Sequence, residues 1–170
     1  LSRYAATKAG LLRVLERRIA RWAASDAGDP AQAAEARQAA RRVVGRLAES
    51  GAVNDEAFAQ ARMRSLRRAG KSGRAIGAHL SAKGVPGEVS AALRAEDEPR
   101  EREAQDLGAA AIHLRRRRLG PFRTAAEVPE TRRRELASLA RAGFPQPVAS
   151  AALRLTRDEA EALIIQLRAE

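Results

Sequence analysis

Apolar residues recur at steps of three and four along most of the chain, the spacing that gathers them on one side of an α-helix. Between Ser2 and about Ala24, Leu12, Leu15, Ile19 and Trp22 follow one face while Arg13, Arg17 and Arg21 follow another. The breaks between such runs carry helix-end chemistry. Asp29-Pro30 is a cap followed by a first-turn proline, and it predicts a second helix to Glu49 with Ala36, Ala40, Val43, Val44 and Leu47 inward. Gly51 stops that helix, and Asn54 or Asp55 caps a third, roughly 56–69. There Ala59, Met63 and Leu66 share a side, and Arg64, Arg67, Arg68 and Lys71 fall away from it.

The pattern continues to the last residue. Ser72 is placed to cap a short helix through Ile76 and Leu80, Lys83-Gly84-Val85-Pro86 closes it, and a helix through Val89 and Leu93 follows. The charged stretch Glu96 to Glu103 reads as a boundary, with a further helix from about Arg102 that turns Leu107, Ala111 and Leu114 inward. After Gly120-Pro121 come a helix through Leu136 and Leu139, another from Val148 to Leu153, and a terminal one opened by the capping box Thr156 to Glu159 and carrying Leu163, Ile164 and Leu167. No β-branched alternation interrupts this, so the fold class is all-α.

One internal repeat organises the chain. Leu80-Ser-Ala-Lys-Gly84-Val-Pro86 leading to Ser90-Ala-Ala-Leu93 returns as Leu139-Ala-Arg-Ala-Gly143-Phe-Pro145 leading to Ser150-Ala-Ala-Leu153. A weaker copy spans Leu11 to Leu47. Three small helical bundles stacked end to end expose a long surface rather than a pocket. Composition agrees with many small units: forty residues are alanine and aromatics make up 3%. Large aliphatics are few enough to resemble a disordered chain, but their helical periodicity argues against disorder.

Charge narrows the partner. Basic residues number 32 against 21 acidic ones, a formal net charge of +11, which suits a polyanionic or acidic partner. With no cysteine and two isolated histidines, His79 and His113, thiol chemistry and metal clusters have no source, and no cofactor is expected. The histidines read as surface or cap residues. The absence of cysteine makes an intracellular, cytoplasmic chain the expectation, and no uncharged run is long enough to span a membrane. The chain opens on Leu1 and its one methionine is Met63, so a trimmed product is expected.

Gly70-Lys71-Ser72 imitates the end of a phosphate-binding loop, but Ser65 stands where the earlier glycine belongs and a helix precedes it, so a turn between helices is the better reading. The acids group beside arginines or in linkers, without the convergent carboxylate pair that acid-base catalysis needs. The basic run carries more. No acid occurs from Ala57 to Gly87, where Arg62, Arg64, Arg67, Arg68, Lys71, Arg74 and Lys83 lie, and none from Leu107 to Ala126, which includes Arg115 to Arg118 and Arg123. Such a field attracts phosphates or an acidic groove. The competing explanation is an Ala- and Arg-biased composition in which arginines only solvate helices. The scattered aromatics Tyr4, Trp22, Phe58, Phe122 and Phe144 sit mostly where cores are expected, so base stacking and sequence-specific readout are not.

The order of these features resembles the RecX family of bacterial RecA regulators. The resemblance rests on Leu11-Leu-Arg-Val-Leu-Glu-Arg-Arg-Ile19, on Val44-Gly-Arg-Leu-Ala-Glu-Ser-Gly-Ala-Val-Asn-Asp55 running into Phe58-Ala59, on Arg67-Arg-Ala-Gly-Lys-Ser-Gly-Arg-Ala-Ile76, and on Leu80-Ser-Ala-Lys-Gly-Val85. Asn54 departs from the family's first turn aspartate, Val85 from its isoleucine, and the connection from Ala24 to Ala34 is longer. Roughly half the chain carries the resemblance.

That resemblance implies an elongated, curved array of three tandem three-helix repeats, set here at residues 1–54, 55–98 and 99–170, the last with an extra amphipathic helix. It also implies a negative regulator that binds the RecA filament on single-stranded DNA along its groove and inhibits ATP hydrolysis, strand exchange and co-protease activity. Double-stranded DNA is a further expected partner, and a monomer is expected. The expected contacts are Arg62, Arg64, Arg67, Arg68, Lys71, Arg74, Lys83, Arg115 and Arg116. The alternatives are a stand-alone, non-sequence-specific DNA-binding module and a helical adaptor for another acidic protein. An enzyme is not expected.

Overall fold

The structure is a computed structural model that describes residues 6–26, 28–124 and 128–169. Among the described residues it holds nine α-helices and no strand: α1 (Lys8–Ala23), α2 (Pro30–Glu49), α3 (Asp55–Arg68), α4 (Gly73–Lys83), α5 (Gly87–Glu96), α6 (Pro99–Arg117), α7 (Pro129–Arg141), α8 (Gln146–Ala152) and α9 (Arg157–Ala169). A 3-10 turn, Gly120–Phe122, precedes α7. The chain divides into two compact units, Leu1–Gln60 with Leu80–Ala91, and Ala61–His79 with Ala92–Glu170.

Helix ends fall where local chemistry puts them. Asp29 accepts the Ala31 N–H at 2.9 Å with Pro30 as first residue of α2, Asn54 accepts from Ala57 at 3.0 Å at the head of α3, and the Thr156 to Glu159 box opens α9. The two copies of the sequence repeat close alike. In α4 the Val85 N–H reaches back to the Leu80 carbonyl and Gly84 to Ser81, while in α7 Phe144 reaches Leu139 and Gly143 reaches Ala140. This pair of bonds needs a left-handed residue, supplied by Gly84 at φ +81° and Gly143 at φ +87°. The folded apolar pairs Leu80/Val85 and Leu139/Phe144 are all buried.

In the first unit α1 packs against α2, and Ala33, Ala40, Val44, Ala59, Leu80 and Val85 are buried. Three expectations are corrected. The expected start at Ser2 lies outside the described residues, and the described helix begins at Lys8 because Thr7, extended at φ −82° and ψ 157°, accepts the Gly10 N–H and caps it. No residue of α1 is fully buried, and Trp22 at its end is 36% exposed rather than in a core. Val43 is 39% exposed, since the inward face of α2 runs through Ala33, Ala40 and Val44 and places Val43 about 100° to one side.

The second unit is built around α6, against which α8 and α9 pack. Ala109, Ala110 and Ala111 are fully buried, and their small side chains let the neighbours approach Ile112, Leu114, Leu139, Phe144, Ala152, Ile164 and Leu167. Helix α6 starts at Pro99, not about Arg102, because Glu98 and Glu101 form a capping box ahead of it. Only Asp97 and Glu98 separate it from α5, so the charged stretch is largely helical. Buried Glu135 holds the 3-10 turn: it takes the Gly120 N–H at 2.9 Å and a two-pronged contact from Arg123 at 3.2 and 2.9 Å. Burying that carboxylate is tolerable because each oxygen is satisfied.

Candidate nucleic-acid interface

The basic residues singled out in the sequence do not all present free charge. Arg67 turns back to Asp97, Nη2 to Oδ2 at 2.8 Å, with side chains 18% and 23% exposed. Asp97 is thus a paired acid rather than a solvated linker residue. Arg62 donates to the His79 ring at 3.3 Å. Arg116 donates to the Ala69 carbonyl at 3.1 Å. Arg64, Arg68, Lys71, Arg74 and Lys83 are exposed, and Arg115 is half-buried. Lys83 belongs to the first unit and the other eight to the second.

Within the second unit one grouping stands out, where the turn from α3 to α4 meets the end of α6. Helix α3 ends with Gly70 and Lys71 reaching back to Arg67 and Leu66, with Gly70 at φ +74°. A side-chain carbon on Gly70 would sit 2.7 Å from Ile112 Cγ2, so only glycine lets the turn lie on α6. Arg116 straps the same turn from outside by its bond to Ala69. Lys71 is thereby brought to the side of α6 that carries His113, Arg116 and Arg117.

His113 registers that charge. Its Nε2 lies 3.2 Å from Ser138 Oγ and its ring meets Phe144 edge-on at 5.9 Å, so it is a half-buried residue and not the surface or cap histidine expected. Desolvation first, then the positive charges of Arg117, Lys71 and Arg116, hold it below the usual histidine value. An anion here would meet cations that no acid pairs in the described ion pairs.

Next to this cationic edge the start of α4 is already used. Ser72, fully buried, accepts the Ala75 N–H at 3.2 Å, and Asp106 takes the Gly73 N–H at 3.2 Å. A carboxylate occupies the place a phosphate would need, so Gly70-Lys71-Ser72 is a turn between helices, as its sequence context indicated. Burial raises the Asp106 carboxyl above its ordinary value against the opposing pull of the Gly73 N–H, Arg67 and Arg94. Arg94 also donates to the Gly73 carbonyl at 2.9 Å, and Arg102 to the Arg94 carbonyl at 2.8 Å. Asp97, Asp106 and Arg118 were not among the expected residues; Arg118 ends α6 in the left-handed region at φ 55°, and its place at the close of the arginine run was the available signal. Among the described residues no group of His and carboxylate side chains could hold a metal, and no helix is long and apolar enough to cross a membrane.

Helix pairs closed by left-handed turns and edged with arginine and lysine define an all-α helical-repeat protein with a cationic surface. Comparison with known proteins gives the family. The model described as RecX, second three-helix domain, matches residues 54–92, the span from the head of α3 into α5. A protein of Myxococcus xanthus (strain DK1622) named Regulatory protein RecX is 46% identical over 145 residues, covering 85% of this chain and 74% of its own length. One of the same name from Agrobacterium fabrum (strain C58) is 33% identical over 113 residues, 66% of this chain and 58% of that protein. No solved structure matches the chain. The chain belongs to the RecX family, whose matched relatives are named as regulatory proteins.

Proposed function

We propose that this chain is a negative regulator of the RecA recombinase, binding the RecA filament on single-stranded DNA along its groove. Bound there, it inhibits ATP hydrolysis, strand exchange and co-protease activity, and so tempers recombination and repair. It acts by occupying surface, with no chemistry of its own, as a cytoplasmic monomer of three tandem three-helix repeats at residues 1–54, 55–98 and 99–170. The observation that carries this reading is membership of the RecX family through a relative 46% identical over most of the chain. The grouping of Lys71, Arg116 and Arg117 around His113 supports it, since such a cluster attracts the phosphates of a nucleic-acid strand.

The contacts in this reading are the exposed Arg64, Arg68, Lys71 and Arg74 with Arg115 and Arg116 in the second unit, and the exposed Lys83 in the first. Arg62 and Arg67, expected with them, contribute from positions where they already have partners. The test is RecA-catalysed ATP turnover on single-stranded DNA, titrated with this chain at two salt concentrations. Inhibition near stoichiometric protein is expected, weakening as salt rises. Unchanged turnover together with tight binding to bare single- or double-stranded DNA would replace this reading with the second one, a DNA-binding module that needs no protein partner, which the same cationic grouping favours.

A further inference from the structure

His113 stands one helical turn before Arg116 and Arg117 on α6, so its imidazole shares a face with both guanidinium groups. The turn after α3 adds a third cation from outside the helix. Gly70 packs on Ile112, and Arg116 donates to the Ala69 carbonyl at 3.1 Å, which sets Lys71 beside the same stretch of α6. None of the described ion pairs engages Lys71, Arg116 or Arg117.

The other elements that meet the ring bring more positive charge and no available acid. On α7, Arg134 and Arg141 flank Ser138 at helical spacing, and Glu135, the one acid between them, is taken by Gly120 and Arg123. On α4, Arg74 lies against Gly143, next to the Phe144 ring that meets His113 edge-on. Asp106, two turns back on α6, accepts the Gly73 N–H. Desolvation, then Arg117, Lys71 and Arg116, disfavour a charged ring in the protein alone.

A phosphate reverses that balance. Its negative charge offsets the cations that oppose the proton, and phosphate and proton then favour each other by the same factor. Ser138 makes the charged ring tolerable, because its Oγ, 3.2 Å from Nε2, donates to a bare ring nitrogen or accepts from a protonated one. We propose that a nucleic-acid phosphate held by Lys71, Arg116 and Arg117 brings one proton from solvent onto His113, making the imidazolium a fourth cation of the site. The inference rests on the reading of this edge as a nucleic-acid contact. It adds a residue and a direction: the grip on phosphate tightens as pH falls.

Two measurements test it. In the first, the ring C–H signals of His113 are followed from about pH 5 to 8 in the isotope-labelled chain, alone and saturated with oligothymidylate at low salt, where charge effects are least screened. The titration midpoint should rise on saturation, and rise less in Lys71→Ala. His79, bonded to Arg62, is the internal comparison and should move less. The second measurement is oligothymidylate affinity at about pH 8 and 5.5. The gain on acidification should be about two- to fivefold larger in the parent than in His113→Gln, the worth of one exposed ion pair. That comparison cancels the protons taken up by Asp106 and other carboxylates. No binding, an unmoved midpoint, equal shifts of both histidines, an equal rise in Lys71→Ala, or the same gain in His113→Gln would overturn the proposal. So would a midpoint raised by poly-glutamate and not by oligothymidylate, which would give the site to an acidic protein face. RecA-catalysed ATP turnover is measured separately, so inhibition alongside an unmoved midpoint sinks this inference and leaves the regulatory reading standing.

Discussion

Ser72 donates its hydroxyl proton to the Ala142 carbonyl at 2.7 Å, and the bond has a twin: Thr7 donates to the Lys83 carbonyl at 2.6 Å. In each case the donor caps the start of a helix, α4 or α1, and the acceptor precedes a left-handed glycine, Gly143 or Gly84. The next residue repeats the symmetry. The Lys8 N–H goes to Asp55 at 2.8 Å and the Gly73 N–H to Asp106 at 3.2 Å. Each compact unit therefore holds one copy of the same joint, made of a hydroxyl, a helix-end carbonyl and an aspartate. Helix α7 has Val128 at the corresponding cap, with no side-chain bond, so it lacks the hydroxyl this joint requires.

Removing either hydroxyl should cost more than an exposed cap would. Ser72→Ala leaves the Ala142 carbonyl and the Ala75 N–H unpaired at a fully buried position, a loss of about 1–3 kcal/mol. Thr7→Ala breaks the matching pair of bonds and should lose a similar amount. Urea unfolding of both variants is the measurement, and a change under about 0.5 kcal/mol in either would show that joint to be energetically idle.

Arg118 predicts a gain. It takes the left-handed position that Gly70, Gly84 and Gly143 fill in α3, α4 and α7, with Arg118 bonded back to Arg115 and Leu119 to Leu114. A side chain there costs about 1 kcal/mol. Arg118→Gly should stabilise the fold by about 0.5–1 kcal/mol after the added freedom of the unfolded chain, raising the Tm by roughly 2–4 °C per kcal/mol. A lower Tm would mean that the Arg118 guanidinium contributes more to stability than its backbone costs.

These cases separate what the sequence displays from what it hides. Asp29-Pro30, Asn54, Ser72 and the Thr156 box were legible because a cap and its partner lie within three residues. The start of α1 was not, because the chain around Thr7 is fixed partly by a carbonyl 76 residues away. Arg67 looked like its neighbours on α3 until Asp97, 30 residues on, was folded against it. His113 looked solvated because nothing in its own helix marks the approach of Ser138, Phe144 and the Lys71 turn. Periodicity found the faces of the helices; it could not say which cations a distant residue would occupy.

His113 makes stability depend on pH in a stated direction. Its folded-state value is lowered by desolvation and by Arg117, Lys71 and Arg116, so below about pH 6.5 the unfolded chain takes up a proton before the folded one does. Stability should therefore fall as pH drops from 6.5 toward the folded value, and should not change on this account above 6.5. His113→Gln should flatten that part of the profile. Asp106, whose carboxyl is raised, acts oppositely: its contribution is lost as pH rises through its folded value, and Asp106→Asn separates the two in a urea titration from pH 4 to 8. A wild-type profile that stays flat between pH 5 and 6.5 would mean that His113 is not held below its usual value.

The cations differ in what reversing them tests. Arg67→Glu sets a carboxylate against Asp97 in a largely buried place, and should destabilise the chain by about 1–3 kcal/mol, so lost binding in that variant reports folding as much as contact. Lys71 is exposed and forms no ion pair among those described, and Lys71→Ala should leave stability within about 0.5 kcal/mol of the parent. If Lys71 meets a phosphate of a single strand, its loss reduces the log–log salt slope of DNA binding by about 0.7. Arg68→Ala and Arg74→Ala should do the same, each by about that amount. Fluorescence titration of a labelled oligonucleotide at several salt concentrations decides it. Slopes that match the parent in all three variants would move the phosphate contacts off this edge, whereas a reduced slope for Lys71 alone would fix the contact at the turn that Arg116 straps to α6.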